Sequence, residues 1–202
     1  MNLEKLTKSI RRIAYAHVVL HLNINLGTLN ILPDWLGYAM ILSGLNALVE
    51  EEPSAALLRP LGNLLMWWSV ALWGFKLLGT EVTGGGFAYI VSVIRLYFQF
   101  QLLTNIAAVA TKYVPSCEHH ILQLRTVMTL VITGYTLVSA VTTHAIVTAV
   151  TAVVYCVAAV WLCRELMNLS DCLEFVLAKE RRVERELTFS ERIQMNMENA
   201  EG

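Results

Sequence analysis

Residues 21–38, HLNINLGTLNILPDWLGY, place His21, Asn23, Asn25, Thr28, Asn30 and Asp34 inside the first long apolar stretch of the chain. How that stretch is read decides whether the N-terminal part makes two membrane crossings or one hairpin. Set on a helix at 100° per residue, His17, His21, Asn25 and Thr28 form one polar stripe, and Asn23 and Asn30 form a second on the far side. An unpaired amide or imidazole is costly in hydrocarbon, so both stripes are expected to face protein or water. The alternative is a helix broken at Gly27, with GTLNILPD as a short non-helical stretch buried in protein or lining a cavity. Either way Pro33 suits a first helical turn, and Asp34 suits the positive end of the helix that follows.

The composition makes lipid the natural solvent for this chain. Of 202 residues, 56% are hydrophobic and 15% charged, outside the usual balance of a soluble domain. Apolar segments fall at about 13–31, 34–49, 61–79, 86–110, 121–141 and 145–163, which predicts six membrane-crossing helices, the first two being either spans or a re-entrant hairpin. The basic stretch at residues 1–12 precedes a segment rich in histidine and asparagine with no small-residue cleavage site, so it is not read as a signal peptide. Gly84 to Gly86 read as a loop, and Ser116 is the expected N-cap of the fifth segment, with Glu118 in its first turn. Cys117, Cys156, Cys163 and Cys172 form no CxxC pair and are expected as reduced thiols.

Orientation follows from the cations. Thirteen of the fifteen Lys and Arg residues fall on one side if the N-terminus is inside, Lys76 falls on the other, and Arg95 lies within a span. Such an asymmetry predicts a cell-membrane protein with both termini cytoplasmic and an even number of crossings. Six spans and four spans plus a hairpin satisfy it equally. Trp35 and Trp161 fit opposite interfaces, whereas Trp67, Trp68 and Trp73 require either a later start to the third helix or packing against neighbours.

Arg95, near the middle of YIVSVIRLYFQFQLL, is the sharpest single residue. A lone guanidinium there costs at least about 2.5 kcal/mol on insertion scales, so it needs a partner or a water-filled cavity. Asp34 is the first candidate partner, Glu81 the second, and carbonyls freed by a helix break the third. His17, His21, Asn25, Asp34 and Arg95 therefore form the candidate polar intramembrane site, either as interhelical glue or as the lining of a path.

Other chemistries are weaker. His17 and His21 have the one-turn spacing of metal ligands, and CEHH at 117–120 offers a second cluster, but five histidines are few and no metal is expected. His21, Glu51, Glu52 and Arg59 share residue types with intramembrane glutamate proteases, yet the order is reversed and Pro53 interrupts the motif. No nucleophile arrangement, phosphate-cradling loop or dinucleotide fingerprint is present, so neither a cofactor nor an enzymatic activity is expected. The near-zero net charge points neither towards nor away from nucleic acid, which is not expected as a partner. The three acids of EEEPSAALLR at 50–59 read as a solvated loop.

NLGTLNILPDWLGYAMILSGL resembles the N-terminal segment of small uncharacterised multi-pass membrane proteins of Gram-positive bacteria, through an ILPDxxGYxxI pattern. Here that pattern is Ile31, Leu32, Pro33, Asp34, Gly37, Tyr38 and Ile41. The resemblance spans about 21 residues and implies a bacterial multi-pass membrane protein; it carries no functional residues.

Beyond Arg164 the chain becomes amphipathic, with Leu166, Leu169, Leu173, Val176, Glu180, Val183 and Leu187 spaced 3, 4, 3, 4, 3 and 4. A cytoplasmic helix over 164–189 is expected, serving homo-oligomer or partner-protein contact or packing on the chain's own loops and the lipid headgroups, followed by a frayed tail over 190–202. The whole reads as an all-α integral membrane bundle at 13–163 behind a basic N-terminus at 1–12. Its expected role is that of a non-enzymatic scaffold or accessory subunit, or else of a small transporter or channel with a cavity formed by the first segment, Asp34 and Arg95.

Overall fold

The computed structural model describes residues 3–21, 25–26, 29–30, 33–80, 85–141 and 144–201. Six helices account for nearly all of them: α1 (Leu3–His21), α2 (Asp34–Glu51), α3 (Leu58–Leu77), α4 (Gly85–Tyr113), α5 (Pro115–Val141) and α6 (Ala145–Glu201). Between α1 and α2, β1 (Asn25–Leu26) pairs antiparallel with β2 (Leu29–Asn30), and a 3-10 turn, Pro53–Leu57, joins α2 to α3. Each helix packs on the next, and α6 closes the ring on α1.

Among the described residues, only α3, α4, α5 and α6 are long and apolar enough to cross a membrane. Six crossings were expected; α1 falls short of that measure because it carries Glu4, Lys5, Lys8, Arg11 and Arg12, and α2 because it has acids at both ends. The first segment also differs in place: its helix is Leu3–His21 and not 13–31. The N-terminal dozen residues that read as a basic tail hold the start of an apolar stripe, Leu3, Leu6, Ile10 and Ile13, which is fully packed. Helical spacing of 3, 4 and 3 makes that stripe one face of α1, and a protein core satisfies it as well as lipid does.

Most of the exposed large apolar side chains fall in one band, over 64–78 on α3, 87–97 on α4, 130–141 on α5 and 146–160 on α6, with Tyr15, Leu57, Phe175 and Val183 outside it. Contiguous apolar surface of this extent is what lipid covers. Past the band, the ends of α4, α5 and α6 gather with α1 and α2 around Leu45, Leu48, Leu103, Ile106, Leu124, Leu166 and Leu169, none with measurable exposure. The molecule thus has a banded half and a packed half, and α1 belongs mostly to the second. Thr7, Arg11 and Glu4 meet Ser170, Asp171 with Glu174, and Arg181 in turn, all beyond Val160 on α6.

The α1–α2 contact is close because α2 presents Gly37 and Gly44 to it. A Cβ on Gly37 would stand 2.5 Å from Leu20 Cγ, and one on Gly44 3.2 Å from Ile13 Cγ1. On the same face, Asp34, Gly37, Tyr38 and Ile41 follow i, i+3, i+4, i+7 spacing, with Tyr38 and Ile41 buried. Pro33, with extended backbone, is the N-cap of α2, one residue before the position expected for it.

Two stretches differ from expectation. Pro115 opens α5 directly after Val114, so Ser116 lies within the first turn and CEHH at 117–120 is helical. Past its amphipathic seam α6 continues unbroken to Glu201, where a frayed tail was expected, because the sequence offers no glycine or proline before Gly202. Its 57 residues extend about 85 Å, nearly three times the hydrocarbon thickness of a bilayer. Of the seam, Leu166, Leu169 and Leu173 are buried within the chain, while Val183 is exposed. The acidic run is also more than a solvated loop: Tyr113 donates to a Glu51 carboxylate oxygen at 2.6 Å, and Lys112 donates to the Glu51 carbonyl at the negative end of α2.

Candidate functional site

The tip of the α1–α2 hairpin reaches into the apolar band. Tyr155, which meets His21, lies about 14 Å along α6 from Ile146 and about 8 Å from Val160 by helical rise, so the end of α1 is inside the band at that point. Five helical residues gather there from four helices: His21 on α1, Asp34 and Tyr38 on α2, Arg95 on α4 and Tyr155 on α6.

Arg95 Nη2 stands 3.8 Å from Asp34 Oδ2, and the two side chains keep 46% and 38% of their surface accessible. That separation lies beyond hydrogen-bonding distance, so the two charges face each other across a gap. Tyr38 is buried, and its ring packs edge-on against Phe98 at 6.0 Å. The Tyr155 hydroxyl and His21 Nδ1 are 2.7 Å apart, while His21 Nε2 is buried without a hydrogen-bond partner among the described residues.

His17 belongs to a different environment. It is fully buried, with Nδ1 2.8 Å from the Ile13 carbonyl and Nε2 3.0 Å from the Gln99 side-chain amide. A neutral ring that donates from Nδ1 can only accept at Nε2, so the Gln99 amide must turn its NH2 towards it, which also satisfies the otherwise orphaned Gln99 nitrogen. With both His17 nitrogens engaged, the His17–His21 spacing does not present a chelating pair. Among the described residues no three His, Cys, Asp or Glu side chains converge as a metal would require.

Of the sequence-derived candidates, the fold brings Asp34 to Arg95 and His21 beside them, and sets His17 one turn away with its ring 6.0 Å from that of His21. Asn25 lies on β1, so the helical stripe that included it ends at His21; its side chain is outside the described residues. Glu81 is likewise outside them. Glu51 ends α2, at the end away from His21, and Arg59 lies in the first turn of α3 and donates to Asn46 at 3.0 Å, so the protease-like residues do not assemble around the histidines. Among the tryptophans, Trp68 packs on Phe87 at 4.9 Å and Trp73 on Trp35 at 6.4 Å, while Trp67 faces outward within the band.

Tyr38, Gln99 and Tyr155 went unnoticed in the sequence. Tyr38 and Gln99 each stand four residues after a chosen charge, Asp34 and Arg95, so helical spacing already placed them on the same faces. Tyr155 had no such signal, since nothing in its own helix points to α1. No protein-family model, curated protein or solved structure matches this chain.

Proposed function

We propose that this chain is a non-enzymatic membrane scaffold or accessory subunit with four spans, both termini in the cytoplasm, and an α1–α2 hairpin that enters the bilayer from the cytoplasmic side and returns. One observation carries the topology: the first half of α1 pairs with α6 beyond Val160, through Arg11 to Asp171 at 3.0 Å and to Glu174 at 2.6 Å, where charge is dense and the apolar band has ended. The cations of α1, Arg59, Lys112 and Arg164 share that side, and Lys76 lies at the far end of α3, as the positive-inside rule requires of a cytoplasmic half. The scaffold role draws on α6, which carries about 30 Å of helix past its last described contact with α1 at Arg181 and so holds a contact surface away from the membrane.

Tyr15 separates the topologies. It is 48% exposed in the packed half, so a Tyr15→Cys variant in a cysteine-free background is expected to react with an impermeant thiol reagent in inside-out vesicles. Protection would return the first segment to the hydrocarbon and restore six crossings. For the scaffold role, truncation after Arg185 spares every contact with α1; it is expected to leave the melting temperature unchanged and to abolish the oligomer trapped by crosslinking in membranes. An unchanged oligomer would remove that role from α6.

A second reading, a small-solute transporter or channel, is favoured by the accessible Arg95–Asp34 pair inside the band. A four-span chain would serve that role as a dimer.

A further inference from the structure

Arg95 is accessible on the inside of the molecule. On α4 the outward side chains Ile90, Val93 and Tyr97 occupy one arc, and Arg95 lies about 170° from its centre, on the face of buried Phe98 and Leu102. An exposed guanidinium on that face opens into space within the bundle. Below it the interior is sealed by Phe98, Leu102, Ile41 and His17, none more than 2% exposed. Above it, Ala88 and Ser92 on the same face are part-exposed. Among the described residues, the recess around Arg95 therefore opens on the side away from the packed half.

We infer that this recess binds a small zwitterion, with a carboxylate and an ammonium group a few bonds apart as in an α-amino acid, entering from the extracellular side. Two opposite charges, both accessible, stand 3.8 Å apart without a direct hydrogen bond. A guanidinium has five donors, and Asp34 at 3.8 Å takes none of them in a direct hydrogen bond; a ligand carboxylate completes the fork, and the ligand ammonium lies against Asp34. A zwitterion adds no net charge to a pair that is already neutral, which matters where water is scarce. A simple anion would leave Asp34 uncompensated, and a simple cation would do the same to Arg95. Tyr38, on the same face of α2 as Asp34, is buried and limits the room open to the guanidinium. The inference rests on the second reading above and names its ligand.

The test uses the full-length protein in nanodiscs, with radiolabelled glycine, alanine and betaine as probes in a scintillation proximity assay. Saturable binding of at least one is expected, and acetate and methylammonium should compete at least about tenfold more weakly, the effect of losing one charge-assisted contact. Arg95→Gln and Asp34→Asn should each weaken binding by a similar factor, while Arg95→Lys and Asp34→Glu, which keep both charges, confirm that the variants fold and should retain part of it. Acetate binding as well as glycine, strengthened by Asp34→Asn, would make the site an anion site and overturn the zwitterion. No binding by any of the three would overturn it too. Ser92→Cys separates the causes: labelling from the outside shows that the recess is open, so failure of the three probes to bind or to slow it condemns the ligand class, whereas an unreactive Ser92→Cys condemns the recess itself.

Discussion

At its base the α1–α2 hairpin leaves Leu3, Leu6, Leu45 and Leu48 no more than 4% of their surface, whereas at its tip Asp34 and its partner Arg95 keep 38% and 46% of theirs. The same two helices thus do two things within about 25 Å of length. At the base, apolar stripes interlock and the charges pair on the outside at 2.6 to 3.0 Å. At the tip, charges turn inward and stand apart. A chain that needed Asp34 only to neutralise Arg95 would do better with a short, bidentate contact, so the gap at the tip is where function is to be sought and the base is where stability resides.

The sharpest way to break this contrast is to exchange the expected costs. Leu45→Ala at the base is expected to lose about 2 to 5 kcal/mol, the range for a large-to-small change in a packed core, measured by unfolding in mild detergent. Asp34→Ala at the tip is expected to lose less than about 1 kcal/mol, because its ion pair is open and accessible. If Asp34→Ala cost as much as Leu45→Ala, the tip would be a structural clamp.

Gly37 joins the two regions, and its effect is expected to be intermediate. Gly37→Val sets a Cβ 2.5 Å from Leu20 Cγ and 3.1 Å from the Ala16 carbonyl oxygen, so α1 must move off α2 at about 1 to 3 kcal/mol. Since Leu20 adjoins His21, the same shift should loosen the His21–Tyr155 contact, seen as increased reactivity of a cysteine placed at Tyr155.

Double-mutant cycles sharpen the comparison further. His17 and Gln99 are buried and in contact at 3.0 Å, so His17→Ala with Gln99→Leu is expected to show coupling of about 1 kcal/mol. Asp34→Ala with Arg95→Ala is expected to show less than half of that. The reverse order would mean that the pair at 3.8 Å closes in the membrane.

The band was legible in the sequence and the base was not. α3 to α6 announce themselves as apolar blocks bounded by charge, and Arg95 announces its need for company because no isolated guanidinium belongs in such a block. The break before Pro33 was legible too, through the density of asparagine and glycine, although α1 stops earlier, at His21. What misled was α1, whose 3, 4, 3 stripe begins at Leu3 among lysines and arginines. Apolar residues record only that they leave water, and do not say whether lipid or protein receives them. Thr7, on the same helix, meets Ser170 across 163 residues, and spacing within one helix cannot reveal such a partner.

The smallest expected effect belongs to the outermost charge at the base. Glu4 accepts from Lys8 at 2.7 Å and from Arg181 at 2.6 Å, and these contacts hold its carboxyl below the usual glutamate range. Its hydrogen bond from Lys8 is the chief cause, followed by the charges of Lys8 and Arg181. A carboxylate whose folded pKa is depressed contributes stability that is fully present above the unfolded value, about 4.3, and that fades as pH falls through the lower folded value. The pair is exposed and screened by salt, so the expected sign is firm and the size small. Melting temperatures of the wild type and Glu4→Gln should therefore differ slightly at pH 6 and low salt and converge towards pH 3, with Arg181→Ala behaving like Glu4→Gln. A difference that grew on acidification would mean that α1 and α6 are held together at this end by something other than Glu4.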